Sequence, residues 1–311
     1  MYGDIIFSIE ERKVLFFERS RVMKKTIIPI LMVLLVICAV AAAKETKSSQ
    51  ESDAAVQQKQ AASAAGLPLE KTIDLGNEVN ITLIYIPAGQ FEMGSPMDEI
   101  KRDTDEAQHR IKLTKPFYVG KFEVTQLQYR VIMSENPSKF GGDKLPVDNV
   151  NWYEACRFLK KLSDKTGLKL RLPTEAEWEY ACRAGTKTAF NTGTTIDSDF
   201  ANYDATQPYA DGIIGKELKR TTEVGSYQPN AFGLYDMHGN VWEWCSDIYD
   251  GDYYKVTPLM DPKGPAEGKS KVIRGGAWNE EAYKCRSADR NHRWPKDNQP
   301  IIGFRVVMDI E

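Results

Sequence analysis

Asn230-Ala231-Phe232-Gly233-Leu234-Tyr235-Asp236-Met237-His238-Gly239-Asn240-Val241-Trp242-Glu243-Trp244-Cys245 is the stretch whose reading decides the fold. Its first half has the composition of a turn: Gly233 and Gly239 permit positive φ, and Asn230, Asp236 and Asn240 can bond their own backbone. Its second half sets Trp242 and Trp244 two residues apart, so both point to one face of a short strand. A loop feeding a tryptophan-bearing strand fixes backbone carbonyls in place. With asparagine oxygens beside them, such carbonyls suit a hard, oxygen-seeking cation such as calcium. Plain core is the competing reading of the same residues.

Outward from this stretch the regular elements are short. Val79 to Pro87 alternates as a strand and runs into a hairpin-like return over Ala88–Ser95, followed by a charged loop from Pro96 to Gln108. Arg110–Leu113 and Phe117–Val124 read as strands, and Thr125 caps a short helix through Met133. The clearest helix starts at Asn151, with Glu154 three residues on, buries Trp152, Ala155, Cys156, Leu159 and Leu162, and ends at Gly167. A second capping box, Thr174-Glu175-Ala176-Glu177, opens a helix carrying Trp178 and Cys182 and closing at Gly185. The last strands are Lys271–Arg274 and Gly303–Val307. Two main helices, short strands and much irregular chain predict an α+β domain whose long loops need ions or disulfides to stay ordered.

Six ordered motifs resemble the formylglycine-generating enzyme (sulfatase-modifying factor) family. They are Ile86-Pro87-Ala88-Gly89-x-Phe91-x-Met93-Gly94-Ser95, Phe122-Glu123-Val124-Thr125, Arg171-Leu172-Pro173-Thr174-Glu175-Ala176-Glu177-Trp178-Glu179-Tyr180-Ala181-Cys182-Arg183, Gly233 to Trp244, Arg274-Gly275-Gly276 and Gly303-Phe304-Arg305. The resemblance covers the chain from about residue 80 to the C-terminus. It implies a variant of the C-type-lectin-like fold, with little regular secondary structure and bound calcium.

The family's enzymes oxidise a sulfatase cysteine to formylglycine with oxygen, using a Cys-x4-Cys pair that holds Cu(I) after a Gly-Gly-Ser-Tyr segment. Soft thiolates select Cu(I), and two suffice for a linear site. Here the segment runs Arg274-Gly275-Gly276-Ala277-Trp278-Asn279-Glu280-Glu281-Ala282-Tyr283-Lys284-Cys285-Arg286. Counted from Gly276, the first copper position is Glu280 and the second falls on Cys285; counted back from Arg290, both are missing. Neither count leaves a pair, so copper is not expected, and Cys285 is catalytic only if the chain is nonetheless an oxidase. The resemblance instead implies a Cys182–Cys285 disulfide, with Cys156 and Cys245 as core thiols. It maps one calcium onto Asn230 with the backbone oxygens of Ala231, Gly233 and Tyr235. A second maps onto Asn202, Tyr203, Asp211 and Ile213; Asn202 and Asp211 also suit ordinary turns. Arg286, Asp289, Arg290, Arg293 and Trp294 stand where the family's substrate groove runs; salt bridges on a solvated loop are the alternative. His109, His238 and His292 lie far apart, without the two-histidine spacing of a zinc or iron site.

The N-terminal region has a different character. Lys24-Lys25 precedes an apolar run from Ile27 to Ala43 that ends Val40-Ala41-Ala42-Ala43, the pattern of a cleaved secretory signal with Met23 as the start. An uncleaved membrane anchor is the alternative. Ile37 before Cys38 is not the small residue a lipoprotein signal requires. Residues 44–66 lack aromatics and nearly all large aliphatics, which predicts a flexible linker, and 67–311 form the domain. Residues 1–43 hold six Lys/Arg and four Asp/Glu, so the chain's 41 basic and 44 acidic residues become 35 and 40 after cleavage. That balance gives no electrostatic reason to bind nucleic acid or an anionic membrane. The expected protein is periplasmic or secreted, calcium-stabilised, and an accessory or binding module (a pseudoenzyme) for a protein, peptide or glycan. Formylglycine synthesis is the alternative. A third reading, the family's iron-dependent sulfoxide-forming branch, draws its iron histidines largely from a separate helical domain not found here.

Overall fold

Hydrogen bonding in this chain is organised by caps and hairpins more than by long elements. The computed structural model describes residues 52–310. The expected leader, with Met23 as its start, and residues 44–51 of the expected linker lie outside the described residues.

The rest of the expected linker is ordered, which corrects that reading. Helix α1 (Asp53–Ala64) is capped by Ser52, whose Oγ accepts the Ala55 N–H at 3.2 Å. It has no broad apolar stripe, which is why its composition reads as linker. It docks instead through Ala62, 1% exposed, and through Gln58, whose Nε2 donates to the carbonyls of Tyr85 (2.7 Å) and Phe232 (3.0 Å). Gly185 gives room for this docking: a Cβ there would stand 2.8 Å from the Ala54 methyl.

Strands β1 (Glu70–Gly76) and β2 (Val79–Ile86) form a hairpin through Asn77 and Glu78, both at positive φ (55° and 61°), as a two-residue I′-type turn requires. Strand β3 (Gly89–Met93) pairs with β4 (His109–Leu113) rather than returning along β2. Strand β5 (Phe117–Gly120) stops short of the expected Val124. Helix α2 (Gln126–Met133) starts from the Thr125/Gln128 capping box. Helix α3 (Trp152–Thr166) has the predicted Asn151/Glu154 box and ends on Gly167 at φ 73°. Its buried stripe is Ala155, Phe158, Leu159 and Leu162; Trp152 and Cys156 are only half-buried. After β6 (Leu170–Arg171), helix α4 (Glu175–Arg183) starts from the Thr174/Glu177 box and ends on Ala184 in the left-handed region, one residue before the expected Gly185.

The tryptophan strand is β7 (Trp242–Ile248), with β8 (Lys271–Arg274), β9 (Asn291–Arg293), β10 (Ile302–Gly303) and β11 (Val307–Asp309) following. The expected Gly303–Val307 strand is thus split between two sheets. One sheet has the order β1-β2-β5-β11-β6, a second β10-β7-β8-β9, and β3-β4 stand as a third. Helices sit beside mainly antiparallel sheets, an α+β arrangement. Trp242 and Trp244 face one core with Phe158, Phe304 and Tyr129, and Tyr129 stacks on Phe158 at 5.6 Å. Trp178, Leu234, Met237 and Cys245 fill a second core beneath α4.

Gln58→Ala removes two buried hydrogen bonds and strands two carbonyls, so it is expected to cost about 1–3 kcal/mol in urea unfolding. A loss below about 0.3 kcal/mol would mean that α1 does not hold to the domain.

Candidate functional site

The chain after β8 turns through Gly275 (φ 100°) and Gly276 (φ 77°), and Cys285 then packs against the second glycine. A Cβ on Gly276 would lie 2.4 Å from Cys285 Sγ, so only glycine fits. Cys285 is fully buried, and burial pushes its thiol well above the usual range, with the Glu280 and Asp289 carboxylates adding to the effect. Cys182 is equally buried; its Sγ reaches Ser287 Oγ (3.6 Å) and the Met237 carbonyl (3.8 Å), and burial raises its thiol to about 12. Among the described residues all four cysteines are unbonded, so the expected Cys182–Cys285 disulfide is not formed. His238 links the two segments instead. Its Nε2 accepts the Asn191 N–H at 3.0 Å, so Nδ1 carries the proton and donates to the Cys285 carbonyl at 2.7 Å. Cys182 Sγ lies 3.9 Å from that Nε2. Burial, aided by Arg183, lowers the imidazole to about 4, so it is neutral at physiological pH.

Arg286 and Arg290 are both held in buried ion pairs, and of the two only Arg290 reaches a cleft wall. Arg286 binds both Glu106 oxygens (2.6 and 2.8 Å) and Glu99 (2.6 Å). Arg290 binds Glu175 (2.8 and 3.0 Å) and lies over the Tyr254 ring, 3.8 Å from its centroid. Arg274 reaches Glu179 and the carbonyls of Ser287, Ala288 and Asp289. Arg293 is half-buried and bonds Asn291 Oδ1 at 2.9 Å, while Trp294 is 64% exposed. An open cleft of about 470 Å³ lies between the Asp103–Asp105 and Tyr249–Asp252 segments, with Lys284 and Arg290 on its wall. Its carboxylates are already engaged: Asp103 with Lys284 (3.1 Å) and Asp105 with the Tyr249 hydroxyl (2.8 Å).

The Asn230 loop is built differently from the expected calcium cage. Asn230 Oδ1 accepts the N–H groups of Phe232 (3.0 Å) and Leu234 (3.1 Å), and Nδ2 donates to the carbonyls of Ala181 and Cys182 at the end of α4. The Tyr235 carbonyl accepts from Arg305 Nη2 at 3.1 Å. Two of the mapped ligand oxygens, Asn230 Oδ1 and the Tyr235 carbonyl, are therefore already engaged. Beside this loop the interior holds Glu123, Asp236 and Glu243 against one cation, Arg305. Arg305 and Glu243 form a bidentate pair (2.6 and 2.5 Å). Both Glu123 oxygens and Asp236 Oδ1 have no hydrogen-bond partner among the described residues. Burial, then the neighbouring Asp236 and Glu243, pushes Glu123 well above the usual carboxylate range, and burial raises Asp236 to about 6. Unpartnered buried carboxylates call for a hard cation or a proton.

Of the second mapped set, only Asn202 shows the same signature. Its Nδ2 faces three acceptors, the Arg220 carbonyl (2.9 Å), Asn240 Oδ1 (3.3 Å) and Thr222 Oγ1 (3.4 Å), so the amide orientation is fixed and Oδ1 is left buried without a donor. A cleft of about 480 Å³ opens beside it, walled by Asp199, Tyr203, Ile214 and Tyr227. Tyr203 is buried, whereas Asp211 and Ile213 are exposed on the following loop.

The family suggested by the motifs agrees with the comparisons. The family model of the sulfatase-modifying factor enzyme 1-like domain matches residues 76–310. This chain belongs to that family. It is 34% identical over 174 residues to the formylglycine-generating enzyme of Streptomyces coelicolor, covering 53% of each chain. It is 31% identical over 260 residues to the chaperone protein LppX of Paenibacillus barcinonensis, covering 70% of this chain and 85% of that one. The solved structure of PvdO from Pseudomonas aeruginosa superposes with a TM-score of 0.67 at 30% identity, over 77% of this chain and 98% of that one. The chain spans only a quarter to about half of several curated relatives, 25% of the Chlamydia pneumoniae serine/threonine-protein kinase pkn1 among them.

Because His238 has a lowered folded-state pKa, the unfolded chain binds a proton between about pH 6.5 and pH 4 that the folded chain does not. Its contribution to stability is complete above pH 6.5 and falls by up to about 1.4 kcal/mol per unit as pH drops toward 4. The stability difference between wild type and His238→Gln is therefore expected to shrink across that window in urea unfolding. A difference constant with pH would contradict the buried neutral imidazole.

Proposed function

We propose that this chain is an extracytoplasmic accessory or binding module of its family, one that holds calcium and does not oxidise thiols. The observation that carries this reading is the burial of Cys285 behind Gly276, with Glu280 at the other copper position. Cu(I) is selected by soft thiolates. Here one thiol is held protonated in the core, and Glu280 is a hard carboxylate whose Oε1 accepts the Trp242 indole N–H at 3.2 Å. These residues do not fit a Cu(I) centre. The likeness to a protein named as a chaperone supports an accessory role toward a polypeptide, and the leader pattern supports placement outside the cytoplasm. The test is to titrate the protein with Cu(I) against a chelator. The protein is then incubated with oxygen and a cysteine peptide derived from a sulfatase, and the peptide is weighed by mass spectrometry. No stoichiometric copper binding and an unaltered peptide are expected; tight one-to-one binding with loss of the thiol would make the chain an oxidase.

For calcium, the acids fit better than the asparagine first mapped. Glu123 and Asp236 offer oxygens without partners and would hold the ion beside the Tyr235 segment, while Asn202 Oδ1 would serve a second. Bound there, calcium supplies the positive charge that the interior lacks. Adding it is expected to raise the unfolding temperature, and EDTA to lower it, by an amount that grows with free calcium. Glu123→Gln removes a buried acid that must be kept protonated without calcium, so it should stabilise the calcium-free protein by about 1–3 kcal/mol and abolish most of the calcium increment. An unchanged increment would place the ion elsewhere.

A further inference from the structure

Trp278 stands two residues past the double glycine, 8% exposed, with its backbone N–H held by the Asn240 carbonyl at 3.0 Å. Its indole N–H is buried and has no acceptor among the described residues. The ring meets Phe140 edge-on at 5.7 Å. Lys139 Nζ sits 5.0 Å from the centroids of both rings, and the Arg220 guanidinium is 5.5 Å from that of Phe140. Both cations are exposed, and neither forms an ion pair with a carboxylate among the described residues. The acid behind them is Asp148, fully buried, whose Oδ1 is taken by the Lys139 backbone N–H at 2.9 Å.

The backbone around this platform is fixed from below. The Phe140 carbonyl accepts from the buried Gln126 Nε2 at 2.7 Å, and the Arg220 carbonyl accepts from Asn202 Nδ2 at 2.9 Å. Two hydrogen-bonded loops thus present the Phe140 ring and two exposed cations on one face, over the buried Trp278 indole. Every polar side-chain group of that platform is a donor. Guanidinium and ammonium groups over aromatic rings match a carboxylate next to a flat or apolar group.

We propose that Lys139, Phe140, Arg220 and Trp278 form a docking platform for an acidic, aromatic-bearing segment of a polypeptide partner. This deepens the binding-module reading and rests on it. Two cations are too few for a polyanion such as nucleic acid on a chain of net charge −3. Lys139 and Arg220 are exposed and line neither of the two clefts described above, which suits a segment of a larger partner better than an enclosed small molecule.

The probe is a fluorescein-labelled (Glu-Tyr)3 peptide, with (Lys-Tyr)3 as the charge-reversed control, titrated by anisotropy against the full chain. The acidic peptide is expected to bind, the basic one not, and affinity should fall several-fold between 50 and 300 mM salt. Lys139→Gln with Arg220→Gln should weaken binding at least tenfold at an unchanged unfolding temperature, since both side chains are exposed. No binding, equal binding of both peptides, or binding indifferent to the double substitution would each overturn the proposal. Copper-dependent oxidation would sink the binding-module reading separately, because neither Lys139 nor Arg220 lies in the Gly276–Cys285 segment.

Discussion

The buried pair between Arg305 and Glu243 is the tie on which the fold depends. Its members come from the segment before β11 and from β7, and its remaining bonds gather three more segments. Arg305 Nη1 donates to the Gly120 carbonyl at the end of β5 (2.9 Å) and Nη2 to Tyr235, while Glu243 accepts the Trp178 indole N–H of α4 at 2.8 Å. A buried pair adds little net stability over an apolar substitute, but deleting one partner leaves an uncompensated charge at a cost of about 3–5 kcal/mol. Such a pair therefore fixes which segments meet. It leaves Glu123 and Asp236 without a countercharge, and that imbalance is the physical basis for reading a cation into the same place.

The same device recurs under the surface loops. Arg274, at the end of β8, and Arg286 and Arg290, from the irregular chain before β9, point inward to Glu179, Glu106 and Glu175. The long loops raised the expectation of ions or disulfides as stays. Among the described residues, ion pairs and backbone carbonyls do this work, and the cysteines are unbonded. Each arginine spreads its donors over carboxylates and carbonyls together, which satisfies the planar guanidinium in a low-dielectric setting.

What could be read from sequence was what is local. The capping boxes at Thr125, Asn151 and Thr174 and the alternation of Trp242 and Trp244 each rest on residues within a few positions of one another, and they located α2, α3, α4 and β7. The hidden features depend on distant partners. Arg286 reads as a solvated loop residue because Glu99 and Glu106 lie 187 and 180 positions away. Helix α1 reads as linker because one glutamine and small side chains, not a stripe, dock it. Glu123 lies inside a family motif and reads as part of a strand; a charge between Phe122 and Val124 is the available signal. The Cys182–Cys285 bridge came from resemblance alone, and the structure places His238 against both segments instead.

Function turns on whether Cys285 is a packing group or a ligand. The direct measurement is peptide-level mass spectrometry after a brief pulse of iodoacetamide on the native, unreduced protein, repeated after denaturation. Cys182, Cys245 and Cys285 should remain unlabelled in the native protein and become fully labelled on denaturation without any reductant. Rapid native labelling of Cys285 would show an accessible thiolate of the kind a metal site needs. Labelling of Cys182 and Cys285 only after reduction would restore the disulfide.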